Sequence, residues 1–336
     1  MPDTYRILLT TSLRSGRRDG DRGEEVAGSV IVGELSVAGG TFRALHQAEV
    51  PPSPHRPGRS SARGIAPWAG GYAVANTSQV FVYDSELRRI EHVHSEPRFG
   101  DIHSLAARDG VLYVTATASD SVLGFDAGWN RVFDWWAGRE PVLHRLMEVP
   151  TPPELLDRHD FRAKGPHGNQ FHVNHLFFDP AGDLLVNLPY LDVEPGLSKV
   201  WNVTRGRFQY PRTAEANPID GRVHDGCVLD GHHYFAWTEH GAFVKLATGS
   251  GEIVRRVDCS VPLGETTGSP LAARHGWLRG AVRLRDELFL VGQSRLHLFL
   301  VDMAAGTRTG PLRVTGVHGE LDHPGLATYC IAVLDE

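Results

Sequence analysis

Residues 63–84 decide the fold, because they show a complete structural unit in a short space. They read RGIAPWAGGYAVA and then, after a polar link, QVFVYD. Two apolar runs meet at Gly70 and Gly71, and glycines at such a junction favour a tight turn between antiparallel strands. The third apolar run ends on Asp84. The stretch therefore predicts a small antiparallel sheet.

The same unit recurs along the chain. HSLAARDGVLYV begins at His103, NHLFFDPAGDLLV at Asn174, DGCVLDGHHYF at Asp225 and RGAVRLRDELFLVG at Arg279. The units start roughly 40 to 70 residues apart, which is typical of a protein built from repeated sheets around an axis. A last apolar run, LATYCIAVL at 326–334, ends the chain without a hairpin partner.

The missing partners of that last strand are expected at the other end of the chain. Residues 5–12, 29–35 and 42–50 are three apolar runs with no first strand before them. A propeller closes its ring by building one blade from both termini, which removes the open sheet edges. We predict an all-β, six-bladed β-propeller that forms a single domain over 1–336. A pair of β-sandwiches is the rival fold, and the repeated unit argues against it.

One segment, at about 127–170, interrupts the repeat. It holds Trp135, Trp136, a proline-rich turn, His159 and His167. Its length predicts an inserted loop with a short helix over one face of the disc, and long structured insertions often carry function. The alternative is an outer strand pair with extra residues.

Composition limits the classes of function. The 336 residues include 40 acidic and 34 basic side chains and have a net charge of −6. This balance argues against nucleic-acid binding, which requires a basic face. No apolar run reaches the ~20 residues of a membrane helix. The start of the chain lacks a signal-peptide pattern, and three scattered cysteines suggest a reduced compartment. We expect a cytoplasmic protein with a small-molecule partner, and the oligomeric state stays open.

The inner strands of a propeller begin at the mouth of its central channel, so their first residues should converge. We name the residues at these positions the ring. Aligning the units places the following residues there: Arg63, His103, Asn174, Asp225, Arg279 and, more loosely, His323. Three further histidines lie beside them in sequence: His172, His175 and His224. The next residue is small in several units, which leaves room for a ligand or for close strand approach.

Two interpretations of the ring compete. Histidine, asparagine and aspartate are metal ligands, and a propeller axis would gather them without a local spacing motif. The candidate ligands are these: His103, His172, Asn174, His175, Asp225 and His323. They would hold a divalent ion, with Ca, Mn, Fe and Zn not distinguished. The alternative is a hydrogen-bonded, water-filled channel mouth.

Two arginines in the ring favour an anionic ligand, beside a metal or in place of it. Arg63 and Arg279 could hold a carboxylate or phosphate in bidentate fashion. Either arginine could instead pair with an internal carboxylate such as Asp101 or Asp225.

Two known groups of propellers resemble this chain. NHLFFDPAGDLLV at Asn174 and HDGCVLDGHHYFAW at Asp225 resemble regucalcin/gluconolactonase-like propellers. The resemblance implies that Asn174 and Asp225 bind a divalent metal. The glutamate ligand in the first blade of that family has no match here, since Arg63 or His103 stands where it is expected.

The second resemblance is to an uncharacterised bacterial propeller family that is sometimes fused to tetratricopeptide repeats. It covers about the last two thirds of the chain. It rests on DIHSLA around His103, HVNHL around Asn174, VHDG around Asp225 and WLRGAVRLRDELFLVGQSR at 277–295. It implies the propeller fold and no particular activity.

Three hypotheses of function follow. The leading one is a metal-dependent hydrolase, lyase or isomerase that acts on a small, polar, anionic molecule at the channel mouth. The second is a metal-free enzyme that uses a ring histidine as general base and the arginines to stabilise an enolate or oxyanion. The third is a non-catalytic binding or scaffolding propeller. The candidate catalytic residues are His103, His224, Arg63 and Arg279.

Overall fold

The computed structural model describes residues 3–13, 28–55, 61–147, 156, 158–162, 170–191, 199–210, 222–261, 277–293, 296–315 and 326–334. Their strands, in chain order, are β1 Thr4–Leu13, β2 Gly28–Ser36, β3 Thr41–Val50, β4 Ile65–Trp68, β5 Gly71–Ala75, β6 Val80–Tyr83, β7 Ile90–His94, β8 Ile102–Arg108, β9 Val111–Ala116, β10 Ser121–Phe125, β11 Arg131–Trp136, β12 His175–Phe178, β13 Leu184–Asn187, β14 Val200–Asn202, β15 Arg207–Phe208, β16 Val223–Leu229, β17 His232–Trp237, β18 Ala242–Ala247, β19 Ile253–Asp258, β20 Leu278–Arg285, β21 Leu288–Gln293, β22 Leu298–Asp302, β23 Thr307–Thr309, β24 Arg313–Thr315 and β25 Leu326–Leu334. A short helix, α1, spans Pro141–His144.

The strands form six sheets, the blades of a β-propeller. Blades 1 to 5 are β4–β7, β8–β11, β12–β15, β16–β19 and β20–β23, each with its strands in sequence order. The first strand of each blade contacts the first strand of the next, and β25 contacts both β20 and β4, which completes the circle. The predicted all-β, six-bladed fold is confirmed.

Blade 6 closes the ring with strands from both termini, as predicted. β25 pairs antiparallel with β1, with Ala332 opposite Leu8, and β2 and β3 follow outward. The sequence did not indicate the outermost strand of this blade. β24 lies parallel to β3, with Val314 opposite Phe42, so the closing sheet has five strands.

The segment 127–170 begins with a regular blade strand. β11 pairs with β10 at the outer edge of blade 2, and Trp135 and Trp136 are buried. Helix α1 follows shortly after β11. Residues 148–155, 157 and 163–169, with His167 among them, lie outside the described residues. For the rest of the segment 127–170, an inserted loop over one face of the disc therefore stays a prediction.

The core lies between neighbouring blades, because each sheet buries both faces. One cluster joins blades 1 and 2, with Ala73 and Val82 packed against Ile102 and Leu105. Burial of such apolar faces is the main favourable contribution to folding. In the described part of the chain, no helix combines the length and apolar character that a membrane span requires.

Candidate functional site

Four ring positions lie in β-bulges at the starts of the inner strands. In β8 the pairing with β9 shifts between Ile102 and Leu105, which leaves His103 in the bulge. The same shift places Asp225 in a bulge of β16 and Arg279 in a bulge of β20. A bulge releases a residue from the ladder and re-aims its side chain. These bulges explain why polar side chains at strand starts gather at the channel mouth.

The fourth bulge identifies a ring residue that the sequence analysis missed. In β25 the pairing with β1 shifts between Thr328 and Cys330, so Tyr329 is the bulged residue of blade 6. The sequence alignment assigned His323 to this position, and His323 lies outside the described residues. The signal that could have found Tyr329 is the small Cys330 after it.

The small residues that follow ring positions allow close strand approach. A Cβ added to Gly64 would lie 2.5 Å from the backbone nitrogen of Leu105 in the next inner strand. A Cβ added to Gly280 would lie 2.9 Å from Cγ1 of Ile331. Of the two explanations left open by the sequence, the structure supports tight packing of the inner strands rather than space for a ligand.

Arg63 is paired inside the protein. Its Nη1 lies 2.8 Å from Oδ1 of Asp101, and both side chains are buried. Nη1 also donates to the carbonyl of Ile102 at 3.1 Å, and Nε donates to Oγ of Ser61 at 2.9 Å. Of the two roles considered for Arg63, the structure supports the internal ion pair with Asp101.

Arg279 differs from Arg63, although it is equally buried. Among the described residues, its side chain makes neither a hydrogen bond nor an ion pair, and its Nε is buried without a partner. Its Cζ lies 4.8 Å from the ring centroid of Tyr329 and 5.2 Å from that of Trp277. Burial lowers the pKa of Arg279, and Tyr329 opposes that shift. A buried guanidinium that has aromatic neighbours and no polar partner among the described residues could hold an anionic ligand.

Asp101, His103 and Tyr329 form a polar chain across the channel mouth. The Tyr329 hydroxyl is hydrogen-bonded to Nδ1 of His103. Nε2 of His103 lies 3.5 Å from Oδ2 of Asp101. Burial, then the charge of Arg63, lowers the pKa of His103 to about 3, so the imidazole is neutral at pH 7. A proton on Nε2 faces the carboxylate, and Nδ1 accepts from the hydroxyl.

Two more ring histidines surround His103. The His172 ring centroid lies 4.8 Å from that of His103, and the His224 centroid lies 6.2 Å away. His172 also stacks on Tyr190 at 4.3 Å. Burial lowers the pKa of His172 and of His224 well below the usual range. The site therefore holds three neutral imidazoles beside positively charged arginines.

Asn174 lies beside His224. Its Nδ2 donates to the carbonyl of Val223 at 3.0 Å and lies 3.1 and 3.0 Å from the two ring nitrogens of His224. The contact with Val223 fixes the orientation of the amide, because a carbonyl can only accept. Oδ1 of Asn174 is buried and has no partner in the part of the chain that the structure describes.

His175 and Asp225 lie at one side of the ring. Nε2 of His175 lies 3.3 Å from the carbonyl of Gly226, and Nδ1 lies 3.3 Å from Oγ of Ser104. Oδ1 of Asp225 lies 3.8 Å from Nδ1 of His175, and Oδ2 accepts from the backbone nitrogen of Gly280 at 2.8 Å. Burial lowers the pKa of His175 and raises that of Asp225.

The contacts of the candidate ligands show whether their donor atoms could bind a metal ion. Within the residues described, no group of three or more His, Cys, Asp or Glu side chains is placed to hold a metal ion. Both ring nitrogens of His175, and Nδ1 of His103, already have polar partners. The described histidines, cysteines and carboxylates therefore do not form a three-ligand centre by themselves. His323 lies outside them, so the predicted divalent metal stays a prediction.

Asp101 is a second site residue whose role the sequence did not establish. It lies two residues before His103, just as His172 lies two residues before Asn174. Both have left-handed backbones, with φ of 56° for Asp101 and 58° for His172. The same turn in successive blades thus brings a second polar side chain to the channel mouth.

Comparisons with known proteins identify the fold. No family model matches the chain, and no curated protein matches it in sequence. The crystal structure of a protein of unknown function from Bacteroides caccae matches with a TM-score of 0.57 and 12% identity. The match covers 99% of this chain and 100% of that one.

Two further solved structures match at lower TM-scores. The β-propeller domain of Cps50 (Swd1) from Myceliophteria thermophila has a TM-score of 0.48 and 9% identity, over 85% of this chain and 80% of that one. A streptogramin B lyase has a TM-score of 0.45 and 10% identity, over 74% and 67%. At these identities similarity concerns the fold alone. The propeller fold implied by the sequence resemblances is confirmed by the six sheets and their closed ring.

Proposed function

We propose that the protein is an enzyme that binds a small anionic molecule at the channel mouth and transfers a proton through a histidine–tyrosine pair. The observation that carries the proposal is the buried guanidinium of Arg279, which lacks a polar partner among the described residues and contacts the ring of Tyr329. The proposal corresponds to the second of the three hypotheses drawn from the sequence, the metal-free enzyme.

Arg279 supports the binding half of the proposal. A carboxylate or phosphate on Arg279 would replace the water that burial removed, and a charge-assisted hydrogen bond is stronger in such surroundings. The neutral histidines add no competing charge. Asp101 compensates the charge of Arg63, whereas Arg279 has no carboxylate partner among the described residues.

His103 and Tyr329 support the chemical half. His103 is neutral because burial and Arg63 lower its pKa to about 3. Its Nδ1 would take the hydroxyl proton of Tyr329 as the phenolic oxygen takes the proton of the ligand, and the Asp101 carboxylate beside Nε2 would stabilise the imidazolium that forms. Burial raises the pKa of Tyr329 more than the two arginines lower it, so its hydroxyl stays protonated and can donate. Asp101 holds the imidazole through Nε2.

Arg279 would also stabilise the product of proton removal. Taking a proton from the carbon next to a carboxylate places negative charge on the carboxylate oxygens, and a preorganised guanidinium stabilises that charge. Eliminations and isomerisations both begin in this way. We therefore favour a lyase or an isomerase over a hydrolase.

The binding half is tested with small carboxylates, phosphate and sulfate, by thermal shift and then by calorimetry. Arg279→Met is compared with Arg283→Met, which removes an exposed arginine of the same strand. Saturable binding to the wild type and to Arg283→Met, lost in Arg279→Met, is expected. Equal responses of all three proteins would contradict an anion site at Arg279.

The chemical half is tested by hydrogen exchange of the ligands in D₂O. Carboxylic acids that bind are incubated with the protein, and carbon-bound deuterium is measured by NMR. Incorporation by the wild type, at least about 100-fold slower in His103→Gln and Tyr329→Phe, is the expected result for acid–base residues. Binding without deuterium incorporation would reject catalysis and leave a binding protein.

The metal-dependent enzyme remains a second candidate because of Asn174, whose buried Oδ1 has no partner among the described residues. Such an oxygen suits a cation as well as a donor group. Elemental analysis of protein purified without a metal-affinity column, beside an Asn174→Ala/Asp225→Ala double variant, tests it. Stoichiometric metal in the wild type alone would support this candidate. Its absence after soaking with Ca, Mn, Fe and Zn would reject it.

A further inference from the structure

Asp120 is a fully buried carboxylate that the proposed chemistry does not use. It follows β9 of blade 2 in a left-handed conformation, with φ of 49° and ψ of 48°. Its side chain reaches the segment before β12, in blade 3. Among the described residues, no charged side chain forms an ion pair with it.

The partners of this carboxylate are consecutive backbone amides. Oδ2 accepts from the nitrogens of Gln170 at 2.6 Å and Phe171 at 3.3 Å, and Oδ1 accepts from Val173 at 3.4 Å. The backbone of His172, which lies between them, also hydrogen-bonds the carboxylate; burial raises the pKa of Asp120 to about 7, and the four amides oppose that shift. Successive amides around a left-handed residue form a concave anion-binding nest. Here the occupant is a side chain of the neighbouring blade.

The segment held in this way carries two ring residues. His172 lies within the nest and Asn174 follows it directly. A left-handed backbone is uncommon in residues other than glycine. At His172 it accompanies a ring that stacks on Tyr190 and lies beside His103. The hydroxyl of Thr117 donates to the carbonyl of Val173 at 2.5 Å, so the same turn of blade 2 contacts the segment twice.

We infer that Asp120 is a positioning residue: its carboxylate fills the amide nest at 170–173 and thereby sets the backbone that presents His172 and Asn174 to the channel mouth. The inference holds whether or not the proposed reaction is correct. It implies that a free carboxylate can take the place of the side chain when the side chain is removed.

Asp120→Gly is the variant to make, because glycine adopts a φ of 49° without strain and leaves the nest empty. Hydrogen exchange of peptides covering 170–174 is followed by mass spectrometry, with sodium formate or sodium chloride at equal ionic strength. The position of the His172 ring is followed by its NMR resonance, assigned with His172→Gln. Asp126→Gly is the matched control, since Asp126 also accepts from two backbone amides, those of Gly128 and Asn130, on an exposed turn.

Without formate, amide exchange in Asp120→Gly should be at least about 10-fold faster than in the wild type, and the His172 resonance should move. Formate, but not chloride, should restore both saturably. Asp126→Gly should show neither change. Two results would overturn the inference. One is amide exchange at the wild-type rate in a folded Asp120→Gly; the other is faster exchange that formate does not slow.

Asp120→Asn keeps the test decisive should the glycine variant not fold. The asparagine side chain fills the nest, but its NH2 group is a hydrogen-bond donor and would face the backbone N–H donors. Faster exchange at 170–174 that formate leaves unchanged is expected. Exchange as slow as in the wild type would show that the carboxylate charge is not required.

Discussion

Tyr329 and His103 satisfy each other's hydrogen-bonding atoms inside a buried site. The hydroxyl and Nδ1 share a hydrogen bond, and the two residues lie 226 positions apart in the chain. A buried polar atom that loses its partner costs about 1–3 kcal/mol. The pair therefore contributes to stability as well as to the proposed chemistry.

This contribution can be measured in a double-mutant cycle. Tyr329→Phe leaves Nδ1 of His103 unpaired, and His103→Leu leaves the hydroxyl unpaired. The double variant should lose about 1–3 kcal/mol less than the sum of the single losses, by urea unfolding at pH 7. Additive losses would show that the two groups do not interact in solution.

His233 supplies a pH-dependent test at the same scale. It is 1% exposed, both its ring nitrogens lack partners among the described residues, and burial lowers its pKa to about 3. Because the folded pKa lies below the unfolded value of about 6.5, neutral His233 stabilises the fold fully above pH 6.5. That stability is lost as the pH falls from 6.5 toward 3.

Replacing His233 should therefore flatten the acid side of the stability profile. The free energy of unfolding of His233→Phe, from urea unfolding between pH 6 and pH 4, should fall less steeply than that of the wild type. The expected difference is about 1.4 kcal/mol per pH unit. Parallel profiles would mean that His233 is protonated in the folded protein.

At the scale of the elements, the inner strands combine bulges with small residues. The bulges in β8, β16, β20 and β25 aim side chains at the axis. Gly64 and Gly280, each next to a ring position, let the inner strands of adjacent blades approach closely. Since a propeller ring has a fixed circumference, a gap between two inner strands should propagate around it.

Gly64→Ala tests this packing between β4 and β8. The added methyl group would lie 2.5 Å from the backbone nitrogen of Leu105, and backbone cannot give way as a side chain can. We expect a loss of about 1–3 kcal/mol in the free energy of unfolding. Gly249→Ala is the control, because its Cβ would meet nothing within 4 Å, and it should change stability by less than about 0.5 kcal/mol. Equal effects would refute the packing role of Gly64.

At the scale of the whole molecule, closure depends on β25. This strand pairs with β1 and contacts the inner strands of both neighbouring blades, β20 and β4. It also supplies Tyr329 to the site. Stability and the candidate site therefore depend on the same contact between the two ends of the chain.

Removing residues 326–336 should abolish cooperative folding, because it exposes the edge of β1 and the faces of two neighbouring blades. A broad urea transition and binding of a hydrophobic dye are expected, and a chain that lacks only 335–336 should unfold cooperatively. A truncated chain that unfolds as sharply as the full one would show that the other five blades are stable without closure.

Local sequence was sufficient for the architecture. The repeat of apolar runs around glycine turns, seen at 63–84, is short-range information, and it predicted five blades and the closing role of β1 and β25. β24 escaped prediction because it pairs in parallel with β3, far away in the chain. No local pattern encodes such a pairing.

The sequence by itself determined which polar residues stand at the start of most inner strands, because the position within a repeat can be read by alignment. Only the tertiary structure decided what each of them does. Arg63 and Arg279 look equivalent in sequence, yet Asp101 compensates one and aromatic rings surround the other. Tyr329 enters the site through a bulge in the closing strand. Pairing, burial and pKa depend on neighbours from other blades, and those neighbours meet only when the ring closes.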